Sequence, residues 1–242
     1  MISFLAAVAL ARSQQDLPLA KDLIGRMFVR YYKASTVQGK IRLTVAAFTG
    51  AVTVDTTLAL QRPDKLFLRQ RKSAGEKQDY LVTADGKEFT YDPPSTSFFT
   101  NDSRLLEKMG PNAAAKDLQD AYAASTLSIC DRSAPLDVAI ARTVDLDYFR
   151  RQLATIKTES ETEINGKKAY LIDGAWRPYG NAQLSGKFAL LVSPEGDLFR
   201  YVIKQTISVP GSKMAPQEVV QTWDVDLKTD LPIEAAVFTV VK

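Results

Sequence analysis

The sequence predicts an α+β fold that is mainly β, with antiparallel strands and with helices at the start and in the middle of the chain. Short runs in which apolar and polar residues alternate recur along most of the 242 residues, and this period of two is typical of half-buried strands. Asp85-Gly86 and Asn165-Gly166 stand between such runs and predict two-residue hairpins of type I′. A stretch near the N-terminus instead spaces its apolar residues by three and four, which predicts a helix.

The first predicted element is a helix over residues 18–34. Pro18 suits the first turn of a helix because its missing N–H has no partner there in any case. The apolar face of this helix consists of Leu19, Leu23, Ile24, Met27, Phe28 and Tyr31. An amphipathic helix buries its apolar face against another element, so we expect this one to pack on the sheet.

A meander of strands follows the helix. In the second strand Val54, Leu58 and Leu60 share one face, while Asp55 and Thr57 lie on the other, as the strand period of two requires. The pattern therefore predicts a sheet with one buried face and one solvated face. The strands predicted in this part of the chain are 41–45, 52–60, 66–70, 79–83 and 88–91.

The middle of the chain, residues 95–157, predicts a helical insert. Helices are expected at 113–123, 135–141 and 146–156. Strands then resume at 160–164, 167–173, 187–192, 198–209, 219–227 and 238–241. No repeat or linker divides the chain, so residues 12–242 are expected to form a single domain.

The N-terminus predicts a signal peptide over residues 1–11. An apolar run over residues 2–10 is followed by Ala9-Leu10-Ala11, which places small residues where signal peptidase cleaves. The run is too short to span a bilayer as a permanent helix. We therefore expect a periplasmic or otherwise exported protein that is cleaved after Ala11.

Composition and residue types exclude several functions. The net charge is +3 with acids and bases mixed along the chain, which argues against nucleic-acid binding. Histidine is absent and Cys130 is the single cysteine, which removes the common nucleophile pairs and the cysteine- or histidine-based metal sites. Glu159, Glu161 and Glu163 share a strand face, as do Asp224 and Asp226, and we interpret both sets as solvated. No enzyme activity, cofactor or metal is predicted.

Three segments in a fixed order resemble the periplasmic outer-membrane lipoprotein carrier (LolA-like) superfamily. In that family an Arg-Pro closes a strand, and a hairpin of Asp-Gly-Lys and Tyr-Asp-Pro follows at a similar distance. The segments here are Arg62-Pro63-Asp64-Lys65-Leu66-Phe67, then Val82-Thr83-Ala84-Asp85-Gly86-Lys87, then Phe89 and Tyr91-Asp92-Pro93. The resemblance implies an incomplete antiparallel β-barrel, or half-barrel, whose concave face is covered by helices and accepts acyl chains.

The resemblance also implies site residues. Arg62 matches an arginine that holds the helical lid closed over the empty cavity, although an exposed arginine at a strand end has the same local sequence. The apolar stripes equally suit plain core beneath the helices, and both interpretations stay open here. The residues expected to line the cavity are Leu43, Val54, Leu58, Leu60, Leu66, Leu68, Val82, Phe89 and Trp223.

Three functions follow, in order of preference. The first is an exported carrier that binds acyl chains of lipoproteins or lipids, with membrane proteins as donor and acceptor. The alternative is an envelope-stress sensing or regulatory module that binds its signal on the same fold. A hydrolase that uses surface carboxylates is the least favoured.

The export prediction has a direct test. If residues 1–11 are a signal peptide, N-terminal sequencing of protein from the cell envelope should begin at Arg12 or within a few residues of it. Recovery of the chain from the cytosol with Met1 intact would contradict the prediction.

Overall fold

Eleven antiparallel strands form one sheet in the order β6-β5-β4-β3-β2-β1-β11-β10-β9-β8-β7. The computed structural model describes residues 17–47, 50–74, 79–92, 104–177, 186–207 and 216–240; the predicted signal peptide lies outside them. Strands β6 and β7 are the two edges of the sheet, so the sheet is not closed into a barrel. The predicted fold class, mainly β with helices on an open antiparallel sheet, is confirmed.

The elements have the following bounds. The strands are β1 Thr36–Ala47, β2 Gly50–Gln61, β3 Lys65–Lys72, β4 Asp79–Asp85, β5 Glu88–Tyr91, β6 Leu105–Lys108, β7 Leu153–Ile164, β8 Lys167–Trp176, β9 Gly186–Val192, β10 Leu198–Ile207 and β11 Gln217–Thr229. The helices are α1 Ala20–Lys33, α2 Leu118–Ser125, α3 Ala134–Ile140 and α4 Thr143–Gln152, with 3₁₀ turns at Thr126–Ser128 and Ala235–Phe238.

Helix α1 begins later than predicted and buries Leu23, Ile24, Met27 and Tyr31 of the predicted apolar face, whereas Leu19 is 58% exposed and its assignment to the buried face is wrong. Leu19 has an extended backbone and precedes the first helical residue. Pro18 therefore lies before the helix rather than in its first turn, and its carbonyl oxygen accepts a bond from the Thr158 hydroxyl. Asp22 in the first turn and Lys33 in the last turn have the charges that the helix dipole favours at those ends.

The insert contains three helices, and the first of them is shorter than predicted. Helix α2 begins at Leu118 because the Asp117 carboxylate caps it, accepting bonds from the N–H groups of Gln119 and Asp120. Residues 113–116 are not helical, and Ala115 forms an isolated bridge with Met109 instead. Strand β6 was not predicted.

The third predicted helix, 146–156, is wrong at its C-terminal end. Helix α4 ends at Gln152, and β7 begins at the next residue. Thr155 takes a positive φ of 49°, and the pairing of β7 with β8 shifts register between Ala154 and Lys157. A β-bulge, which local propensity does not predict, thus replaces the last helical turn.

The two predicted type I′ hairpins differ. Asn165 and Gly166 have φ values of 50° and 76°, as this turn type requires, so that prediction is confirmed. At the other hairpin only Gly86 has a positive φ, and type I′ is wrong there. The Asp85 carboxylate instead accepts bonds from the N–H groups of Lys87 and Glu88, which stabilises a longer turn.

The C-terminal segment does not form the predicted strand over 238–241, of which residues 238–240 are described. Gln38 donates a bond to the carbonyl oxygen of Pro232, and the chain then forms a 3₁₀ turn that packs on β3 and β4. Phe238 is 1% exposed there, with Lys65 Nζ 6.0 Å from its ring centroid. Pairing with β3 and β4 is unavailable, since both strands already have two neighbours.

The inner face of the sheet, defined as the side on which α1–α4 pack, is apolar, and the outer face is charged. On the outer face one row of side chains alternates in sign across six neighbouring strands. Such cross-strand pairs each contribute about 0.2–1 kcal/mol and favour this register. The row runs through Arg200, Asp224, Arg42, Asp55, Arg71 and Asp79.

Two glycines give a matched test of the fold. Gly39 in β1 has a φ of 146°, and a Cβ there would overlap the carbonyl oxygen of Asp226. We expect Gly39→Ala to lower the free energy of unfolding by about 2–4 kcal/mol. Gly25 in α1 has open space around it, so Gly25→Ala should raise that free energy by about 0.5–1 kcal/mol. Chemical denaturation measures both, and equal effects would contradict the β1–β11 packing.

Candidate functional site

All nine residues predicted to line a cavity lie on the inner face of the sheet. None is more than 7% exposed. They form one continuous core with apolar residues of the four helices, so the structure brings them together beneath a closed cover. We call helices α1–α4, with the connecting residues 126–133, the helical cover. The residues predicted to line a cavity are Leu43, Val54, Leu58, Leu60, Leu66, Leu68, Val82, Phe89 and Trp223.

Arg62 follows β2 directly and joins the sheet to two helices of the cover. Its guanidinium donates to the carbonyl oxygens of Tyr31 and Ala34 at 3.0 Å each. It also donates to the carbonyl oxygens of Ile140 and Ala139, at 3.0 and 3.3 Å. These carbonyls stand at the C-terminal ends of α1 and α3, where helices lack internal partners and favour positive charge. Burial lowers the pKa of Arg62 from its ordinary value.

A second polar contact, missed in the sequence, holds the connection between α2 and α3. The Gln70 side chain is fully buried and donates to the Asp131 carbonyl oxygen at 2.7 Å and to the Thr56 hydroxyl at 3.1 Å. Its amide oxygen accepts bonds from the N–H groups of Cys130 and Asp131. The sequence did contain a sign of this contact, because Gln70 is a polar residue on the same strand face as Leu66 and Leu68.

Asp131 also contacts the sheet through its carboxylate. Trp223 Nε1 donates to Asp131 Oδ2 at 3.2 Å, so this predicted cavity residue is also a polar contact of the cover. Burial raises the pKa of Asp131 to about 6, against the lowering effect of the Trp223 bond. Asp137 in α3 is similar: burial raises its pKa to about 6, although the Tyr122 hydroxyl donates to it at 2.8 Å.

Four aromatic rings connect the cover to the sheet. Phe28 in α1 and Phe149 in α4 meet edge to face with centroids 5.9 Å apart. Phe149 in turn lies 5.4 Å from Tyr201 of β10, which stacks on Trp223 of β11 at 5.3 Å. Aromatic pairs in these geometries contribute about 0.5–1.5 kcal/mol each beyond area burial. Phe149 of α4 is therefore a direct contact between the cover and Tyr201.

Two of the carboxylates that the sequence analysis considered for chemistry are held in ion pairs. Glu159 and Glu161 are exposed and pair with Lys157 and Lys168. Burial raises the pKa of the Cys130 thiol to about 11, which disfavours the reactive thiolate. In residues 17–47, 50–74, 79–92, 104–177, 186–207 and 216–240, no three His, Cys, Asp or Glu side chains are grouped to hold a metal, and no helix has the length and apolarity to cross a membrane.

The raised pKa of Asp131 predicts a pH dependence of stability. The folded protein holds this proton up to about pH 6, whereas an unfolded Asp releases it near pH 4. Folding stability should therefore fall as pH rises between those values, by on the order of 2–3 kcal/mol. Asp131→Asn has no carboxyl to ionise, so this part of the slope should vanish. Unfolding measured from pH 4 to pH 8 tests this, and identical slopes in both proteins would contradict it.

No family model matches this chain, and no curated protein matches it. Among solved structures, the Mycobacterium tuberculosis lipoprotein LppX is similar at 10% identity and a TM-score of 0.41, covering 86% of this chain and 97% of its own. The Pseudomonas aeruginosa MucA/MucB complex is similar at 13% identity and a TM-score of 0.42, covering 90% of this chain and 60% of that one. This chain therefore spans less than two thirds of that relative.

A LolA superfamily protein from Nitrosomonas europaea is also similar, at 13% identity and a TM-score of 0.31, covering 92% of this chain and 98% of that one. The structural neighbours thus include the superfamily that the sequence motifs resemble. Every one of these TM-scores is below 0.5, and function is therefore inferred from the residues of this chain.

Proposed function

We propose that this protein is an exported carrier that binds acyl chains of lipoproteins or other lipids on the inner face of its sheet. The helical cover and the sheet move apart when acyl chains enter between them. Arg62 stabilises the closed, empty form, and membrane proteins act as donor and acceptor of the cargo. The observation that carries the proposal is the set of four bonds from Arg62 to the carbonyls of two different helices.

The chemistry of the boundary between cover and sheet favours an opening interface over plain core. A core that serves stability alone is built from apolar residues, since buried polar groups cost free energy unless every partner is present. Here Arg62, Gln70, Asp131 and Trp223 make polar contacts between the two layers. Polar contacts are directional and break together when the layers move apart, whereas the apolar face that remains can be covered by acyl chains.

The free energy gained by burying an acyl chain is similar in size to the free energy of the Arg62 hydrogen bonds that would be lost. Burying one CH₂ group contributes about 0.8 kcal/mol, so a chain of sixteen carbons contributes on the order of 12 kcal/mol. Four charge-assisted bonds of about 1.5–3 kcal/mol each give roughly 6–12 kcal/mol as an upper limit for Arg62. Because the two quantities are of the same order, acyl occupancy is able to replace the closed-state contacts of Arg62.

Substitution of Arg62 tests the proposal. Arg62→Leu removes the closed-state bonds, so the open form becomes easier to reach, and affinity for a fluorescent fatty acid should rise about tenfold or more. Arg62→Lys should behave alike, because an ammonium group cannot reproduce the planar fork that reaches both helices. Arg69→Leu is the matched control, since Arg69 pairs with Asp79 on the outer face.

The readouts are the dissociation constant and the rate of release to lipid vesicles, which should be slower in both Arg62 variants. Unchanged values in both, beside clear binding by the unaltered protein, would mean that Arg62 has no role in opening. If the unaltered protein binds no acyl chain and instead retains a stoichiometric protein partner, the carrier function is wrong and the regulatory module is favoured.

A further inference from the structure

Tyr201 places a hydroxyl group in the apolar interior. The side chain is fully buried on the inner face of β10, and the hydroxyl has no hydrogen-bond partner among the described residues. Its ring is held between Phe149 of the cover and Trp223 of the sheet. A buried hydroxyl without a partner costs about 1–3 kcal/mol, and phenylalanine would fill the same space without that cost.

Trp176 of β8 is a second buried side chain with a polar group that could donate a hydrogen bond. The residue is 8% exposed and belongs to the same core, and its indole N–H also has no partner within the described part of the chain. An indole nitrogen only donates. Two unpartnered donors on one apolar face are unusual, since most buried polar side-chain atoms have at least one partner. Both are therefore available to an acceptor brought by a ligand.

The charges near Tyr201 restrict what that acceptor is. Inward-facing positions of β9, β10 and β11 carry no lysine or arginine in the described strands. One titratable group that contacts the aromatic cluster is the carboxyl of Asp131, which accepts a bond from Trp223. A ligand carboxylate placed there would be buried without a counter-charge, which is costly. An ester carbonyl accepts a hydrogen bond without carrying charge.

We infer that Tyr201 is a specificity-determining residue that donates a hydrogen bond to an uncharged acceptor oxygen of the lipid. The interior therefore prefers esters of long-chain acids over the free fatty acids. This inference rests on the proposed function, because a lipid must enter the interior to reach Tyr201. Entry brings the hydroxyl within reach, since Phe149, which covers the Tyr201 ring, belongs to the cover.

A matched pair of probes tests the selectivity, namely cis-parinaric acid and its methyl ester, which share one fluorescent chain. The unaltered protein should bind the ester more tightly at pH 7.5. In Tyr201→Phe the ratio of ester affinity to acid affinity should fall about fivefold to tenfold, as loss of one hydrogen bond predicts. Tyr170→Phe is the control: Tyr170 is a buried tyrosine of β8 whose ring lies 5.2 Å from Lys168 Nζ, and its substitution should leave the ratio unchanged.

Thermal unfolding of the ligand-free proteins supplies a second readout. Because the Tyr201 hydroxyl has no partner, Tyr201→Phe should unfold at the same or a higher temperature. A clearly lower temperature would mean that a water or a protein group already satisfies the hydroxyl, and the inference would be overturned. An unchanged affinity ratio in Tyr201→Phe would overturn it as well, while leaving acyl binding intact. Failure of the unaltered protein to bind either probe would overturn the proposed function and this inference together.

Discussion

The attachment of Arg62 to the carbonyl ends of α1 and α3 is the contact on which the proposed opening depends. Helix ends carry carbonyl groups that lack internal partners, and a single planar guanidinium reaches two such ends at once. The apolar faces of the helices keep the cover near the sheet, but that attraction is not directional. Arg62 fixes two helix ends relative to the sheet, and in this arrangement none of the nine residues predicted to line a cavity is more than 7% exposed.

The interior combines apolar surface with polar groups that stability alone does not explain. All hydrogen-bonding groups of the Gln70 side chain have partners, whereas Asp131 has a raised pKa and the Tyr201 hydroxyl has no partner among the residues that the structure describes. Each of these features lowers the stability of the closed form relative to an apolar replacement. Together they make the arrangement less stable than an apolar interface, as we expect if the proposed opening occurs.

Local periodicity predicted the parts of the fold that depend on one element at a time. The face of α1 was found because Leu23, Met27 and Tyr31 recur at helical spacing, and the inner-face residues were found because strand parity decides which side a residue occupies. Contacts between distant segments could not be predicted from local periodicity, since Gln70 and Asp131, for example, are 61 positions apart. The Phe238 turn was missed for the same reason, since strand-forming residues there meet strands that are already paired.

Amide hydrogen exchange of the ligand-free protein tests the central claim, that the cover opens while the sheet stays folded. Amides of α2, α3 and α4 should exchange through an opening with a lower free energy than the amides of β1 and β11, and with less dependence on denaturant. Equal free energies for the helices and for these two central strands would mean that they unfold as one unit. In that case the inner face is plain core and the cover does not open.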